Sequence, residues 1–133
     1  MNKRDFLSRV QKSAGLESPR EAERQSVAVL TALLHLLPDS EARRHFASQL
    51  PGFLKSRLTE ERPRGLVLTR DAFLQHLGRA LDVHAPDAER ALMAVFGVLR
   101  EAVSAGQVGD LEAHLPKEIA ALLERKMPTS ATS

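Results

Sequence analysis

Glu41 and His45 stand four residues apart, as do Asp110 and His114, the spacing that sets an acid and an imidazole on one face of a helix. Such pairs offer metal ligands. The Glu-x-x-His signature of inward-facing di-iron bundles does not occur, and the two pairs fall out of register in the internal repeat described below. Ordinary surface ion pairs are the better account of them. His35 lies inside an apolar run with no nucleophile pattern around it, so it is expected to be a hydrogen-bonded core or boundary histidine. With no cysteine, the chain has no disulfide, thiolate zinc site or cysteine nucleophile. It also lacks a glycine-rich loop leading to Lys and Ser/Thr, and a Gly-x-Gly-x-x-Gly, so no phosphate cradle is encoded. These residues name no catalytic group, metal or cofactor, and the chain is expected not to be an enzyme.

A second constellation is electrostatic. Arg43, Arg44, Lys55, Arg57, Arg62 and Arg64 gather positive charge in one stretch, the footprint that nucleic-acid binding requires. Glu41, Glu60 and Glu61 interrupt it and no aromatic is interleaved for base stacking, which argues against that partner. Exposed faces of helices packing inward through Phe46, Phe53 and Leu54 explain the same charges. The net charge of +2 is divided unevenly, +4 over residues 1–66 and −2 over residues 67–133. That asymmetry suits a head-to-tail contact or an acidic partner, although a solvated surface is the simpler reading.

The elements that must position these groups are written twice. Asp5-Phe6-Leu7 with Val10 returns as Asp71-Ala72-Phe73-Leu74 with Leu77, and Pro19 with Ala22-Glu23-Arg24 returns as Pro86 with Ala88-Glu89-Arg90. Val29 and Leu33 return as Val95 and Leu99, and Leu50-Pro51 followed by Leu58 returns as Leu115-Pro116 followed by Leu123. The offset falls from 67 to 66 to 65 along the match, so Asp110 is the counterpart of His45 and His114 that of Gln49. A repeat of this length is a whole helical subdomain.

Helical spacing of Phe6, Leu7, Val10 and Ala14 predicts a first helix from about Arg4 to Ala14, stopped by a left-handed Gly15 with Leu16 folding back. In the second copy, Phe73, Leu74, Leu77 and Leu81 repeat the pattern and Asp82 takes the stop. Ser18-Pro19-Arg20-Glu21 reads as a capping box opening a second helix that runs to Pro38, apolar around most of its circumference and therefore central. Its counterpart runs from Pro86 to about Ser104, with Gly106 as its end. A third helix follows from about Ser40 to Gln49, capped by Asp39, and its counterpart covers Gln107 to His114. Pro51 and Pro116 each open a fourth, carrying Phe53, Leu54 and Leu58 or Ile119, Leu122 and Leu123. The repeated Leu-Pro could also shape a groove for a partner helix or apolar ligand, but a helix-opening proline beside a core leucine suffices. Thr69 caps the second copy's first helix.

The expectation is an all-α, duplicated four-helix unit forming a compact pseudo-twofold bundle of about eight helices within one domain. Residues 4–58 form repeat one, 59–69 the connector, 70–125 repeat two and 126–133 a flexible tail. No apolar stretch approaches the roughly 20 residues that span a bilayer, and no signal-peptide core follows the charged first residues, so a cytoplasmic location is expected.

Two copies of Phe-Leu-x-x-Val/Leu, an Ala-Glu-Arg opening a long apolar helix, and a Leu-Pro before the last helix resemble the bacterial domain-of-unknown-function 2267 family. Gln49-Leu50-Pro51 and His114-Leu115-Pro116 stand where that family has Gln-Leu-Pro. The resemblance covers residue 4 to about 125; its connector aromatic is missing, since the chain has neither Trp nor Tyr. It implies the scaffold and no catalytic residues. The functional expectation is a non-enzymatic interaction or scaffold module for an unidentified protein partner. The alternatives are nucleic-acid binding through the basic stretch and small-ligand binding between the repeats.

Overall fold

A computed structural model of the chain describes residues 1–37, 40–57, 69–103 and 105–125, the side chains of residues 105, 107 and 125 excepted. Eight helices and no strand occur among these residues. They are α1 (Lys3–Ala14), α2 (Pro19–His35), α3 (Ser40–Ser48), α4 (Gly52–Lys55), α5 (Arg70–Leu81), α6 (Ala85–Ala102), α7 (Ala105–His114) and α8 (Lys117–Arg125). The expected cap at Asp39, core residue Leu58, the connector at 59–68 and the tail at 126–133 lie outside the described residues.

Local chemistry sets the helix ends. Ser18 Oγ accepts from the Glu21 amide at 3.2 Å, and Thr69 Oγ1 accepts from the Ala72 amide at 3.2 Å, each satisfying a first-turn N–H that has no partner inside its helix. The Glu21 carboxylate pairs with Arg24 at 3.6 Å instead of reaching back toward the cap. Gly15 (φ 66°) and Asp82 (φ 60°) both adopt the left-handed conformation. Behind each, the next amide closes on the helix, Leu16 N–H to the Gln11 carbonyl and Val83 N–H to the Gly78 carbonyl, both at 2.9 Å.

Two elements depart from expectation. Helix α6 ends at Ala102, because Val103 turns extended (φ −123°, ψ 165°) while its side chain stays packed against the core; Gly106 falls inside α7 and terminates nothing. The β-branched side chain is at ease in that extended geometry. Helix α4 is a single turn, whereas α8 spans nine residues. The chain is anchored at α4 by buried Leu54, by an edge-to-face contact of Phe53 with Phe6 (5.6 Å) and by an ion pair between Arg57 and Glu23.

The long apolar helices are interior. Val29, Leu30, Leu33 and Leu34 of α2 and Leu92, Val95, Phe96 and Leu99 of α6 are all at most 1% exposed. Helix α1 packs on both α2 and α6, and α5 packs on both α6 and α2. The two halves therefore do not fold as separate bundles: Phe6, Leu7 and Val10 on one side, and Phe73, Leu74 and Leu77 on the other, fill a single apolar cluster together with the rods. Leu50 and Leu115 are buried in that cluster, and Pro51 and Pro116 stand just before α4 and α8. Polar ties cross the halves as well. Arg24 of α2 donates to the Leu81 carbonyl at the end of α5 (3.4 Å), and Arg9 of α1 donates to the Glu101 carboxylate of α6 (2.6 Å).

Two glycines give opposite expectations. A methyl added at Gly78 would meet the Val83 carbonyl oxygen at 2.7 Å, against backbone held by the α5 stop, whereas one added at the exposed Gly97 within α6 meets nothing within 4 Å. Gly78→Ala should lower unfolding free energy by about 1–3 kcal/mol. Gly97→Ala should raise it by about 0.5–1 kcal/mol through helix propensity. Urea titration of both variants checks the pair of signs.

Glu23 gives a pH dependence. The hydrogen bond from Arg57, aided by Lys3 at 3.5 Å and opposed by partial burial, holds its carboxyl below the usual glutamate range. A lowered folded-state value means stabilisation that is complete above the unfolded glutamate value and lost as pH falls through the folded one. The stability gap between wild type and Glu23→Gln should therefore be level around neutrality and narrow on acidification, read as thermal midpoints across pH.

Candidate functional site

Helices α3 and α7 face each other across an open cleft of about 700 Å³ lined by Glu41, Ala42, Arg44, His45, Ser48, Asp110 and His114. Each helix brings its acid–imidazole pair there because the four-residue spacing aligns the pair along one face. Phe46 turns inward from α3, and Val108 and Leu111 from α7, so the polar faces are left to the cleft.

The floor of the cleft is a chain of contacts. His45 Nε2 lies 2.7 Å from Asp110 Oδ2 and 2.8 Å from the Gln49 side-chain amide; His114 Nδ1 lies 2.8 Å from the Asp110 backbone carbonyl oxygen. A carboxylate and a carbonyl can only accept, so the neutral rings carry their hydrogens on His45 Nε2 and His114 Nδ1. Ser48 Oγ donates to the His45 carbonyl at 2.7 Å, which leaves no serine hydroxyl directed at an imidazole in this cluster. Side-chain exposure is 56% for His45 and 44% for Asp110, so the pair is wet and contributes little to stability.

The two pairs were expected to be independent surface features, and their mismatch under the repeat counted against a joint site. The structure joins them: His45 and Asp110, 65 residues apart in the chain, meet across the cleft. Sequence reasoning missed Ser48 and Gln49; their signal was proximity to His45 on α3. Among the described residues, no three His, Asp or Glu side chains converge closely enough to hold a metal ion.

Two of the described residues of the basic stretch are engaged within the protein. Arg43 donates to the Leu37 carbonyl near the end of α2 at 3.1 Å, and Arg57 is bound to Glu23. Arg44 and Lys55 are exposed, and Arg62 and Arg64 lie outside the described residues. His35 is buried in the last turn of α2, 6% exposed, and is not among the residues lining the cleft. A half-buried tie of Arg100 to Glu112 (2.7 Å), with the guanidinium also over Phe96 at 4.7 Å, fixes α7 to α6 behind the cleft.

An all-helical fold with an open polar cleft defines a class, not an activity. The chain belongs to the family described as uncharacterized conserved protein (DUF2267), whose model matches residues 3–122. No curated protein matches it. Among the described residues, no helix is long and apolar enough to cross a membrane.

Proposed function

We propose that this chain is a non-enzymatic, cytoplasmic protein-interaction module, built as two interleaved copies of one four-helix unit, that presents the α3–α7 cleft to a protein partner. The observation that carries this reading is the cleft itself: a wide polar opening at the junction of the two copies, backed by the shared core. The pseudo-twofold relation is supported by the exchange of packing partners, α1 on α2 and α6 against α5 on α6 and α2, and by the meeting of His45 with its counterpart Asp110. A binding role is favoured over catalysis because the imidazoles are open to water and the neighbouring serine hydroxyl is engaged by backbone. The nucleic-acid alternative retains Arg44 and Lys55 as exposed cations; absence of a mobility shift with mixed DNA and RNA at low salt would remove it.

The test is site-specific photo-crosslinking in the cells that make the protein. A photoreactive residue at Ser48, in the cleft, should capture one reproducible protein, whereas the same residue at Lys12 of α1 should not. Equal capture at both positions, or none at Ser48, would overturn the reading.

A further inference from the structure

We infer that the α3–α7 cleft receives an arginine side chain of its protein partner. This rests on the reading of the cleft as the partner's docking site and adds the chemistry that is recognised there. Among the described residues of the lining, Arg44 apart, the hydrogen-bonding groups left for a ligand are acceptors. Glu41 and the second oxygen of Asp110 accept only. His114 gives its Nδ1 hydrogen to the Asp110 carbonyl, so the neutral ring keeps a lone pair on Nε2; His45 gives its Nε2 hydrogen to Asp110 and keeps one on Nδ1. Ser48 has donated its hydroxyl hydrogen to the His45 carbonyl, which leaves its oxygen to accept. Among the described residues of the lining Arg44 is the lone cation, and with the rings neutral these residues carry one negative charge in excess.

Acceptors plus surplus negative charge call for a cation that donates. A metal ion needs ligands converging on one point, and the described side chains do not converge. An ammonium also concentrates its donors on a single atom. A guanidinium spreads five N–H groups over a rigid plane, which suits acceptors distributed across two helices and a cleft of about 700 Å³. Phosphate-bearing partners would meet Glu41 and Asp110 and be repelled.

Titration of the ¹⁵N-labelled full chain with N-acetyl-arginine N-methylamide, followed by NMR, tests this directly. Saturable shifts should be confined to α3 and α7. The lysine counterpart should bind at least fivefold more weakly, and the glutamate counterpart should not bind. Glu41→Gln, an exposed substitution that leaves the His45–Asp110 contact alone, should weaken binding at least threefold, and Asp110→Asn at least tenfold with the spectrum still dispersed. No saturation, shifts elsewhere, or equal response to the glutamate compound would overturn the assignment. So would saturation of the same amides by stoichiometric zinc, which would make this a metal site. Crosslinking at Ser48 without arginine binding would leave docking standing and remove the arginine; arginine binding without crosslinking would do the reverse.

Discussion

Phe73→Ala should lower the unfolding free energy by about 3–5 kcal/mol, and Phe6→Ala should cost a similar amount. Both rings are 0% exposed and occupy corresponding places, Phe6 where α1 lies on α2 and α6, Phe73 where α5 lies on α6 and α2. Truncation removes the transfer free energy of a benzyl group and leaves a void walled by helices from both halves, which cannot close without moving a rod. Phe6 also loses its edge contact with Phe53, so its cost should lie at the upper end. Val83→Ala is the control: the side chain is 36% exposed and its loss should fall within about 0.5 kcal/mol. Chemical denaturation followed by circular dichroism measures all three. A cost below 1 kcal/mol at either phenylalanine would mean that its helix is not packed as described.

A larger effect is expected from Val95→Asp, which should leave the chain unfolded at 25 °C. Val95 sits in the middle of α6 with 0% exposure, surrounded by apolar side chains. An unpaired carboxylate there must desolvate or stay protonated, and a penalty of about 5 kcal/mol or more rivals the whole stability of a domain this size. Gly97→Asp, on the exposed side of the same helix two residues on, should still fold, since an added Cβ meets nothing within 4 Å. Loss of helical ellipticity in the first variant and its retention in the second would locate the buried side of the rod. A folded Val95→Asp would place α6 at the periphery.

What the sequence disclosed was mostly local. Ser18, Thr69, Gly15 and Asp82 stand at helix ends because each satisfies, or frees, backbone groups a few residues away, and that chemistry needs no knowledge of the partner helix. The apolar circumference of Val27–Leu37 and Ala91–Leu99 announced interior rods for the same reason. Gly106 misled because the α6 exit is set by the packing of Val103, a tertiary matter that outweighs a favourable stop residue. The interleaving of α1 with α6 was hidden because apolar faces do not specify which neighbour covers them. The cleft was half visible: the spacing put Glu41 with His45 and Asp110 with His114, but only the tertiary fold brings His45 to Asp110. Gly78 gave no sign at all, since its constraint is the approach of the Val83 carbonyl across the α5 stop.

Native-state hydrogen exchange across a denaturant series tests the shared core most directly, because it reports the free energy of opening helix by helix. The amides of α2 and α6 should exchange only through one global opening with a single common free energy. Those of α3, which buries only Phe46, should open at lower cost. Two separate ceilings, one for residues 4–57 and another for 70–125, would show that the halves fold independently and would contradict the account.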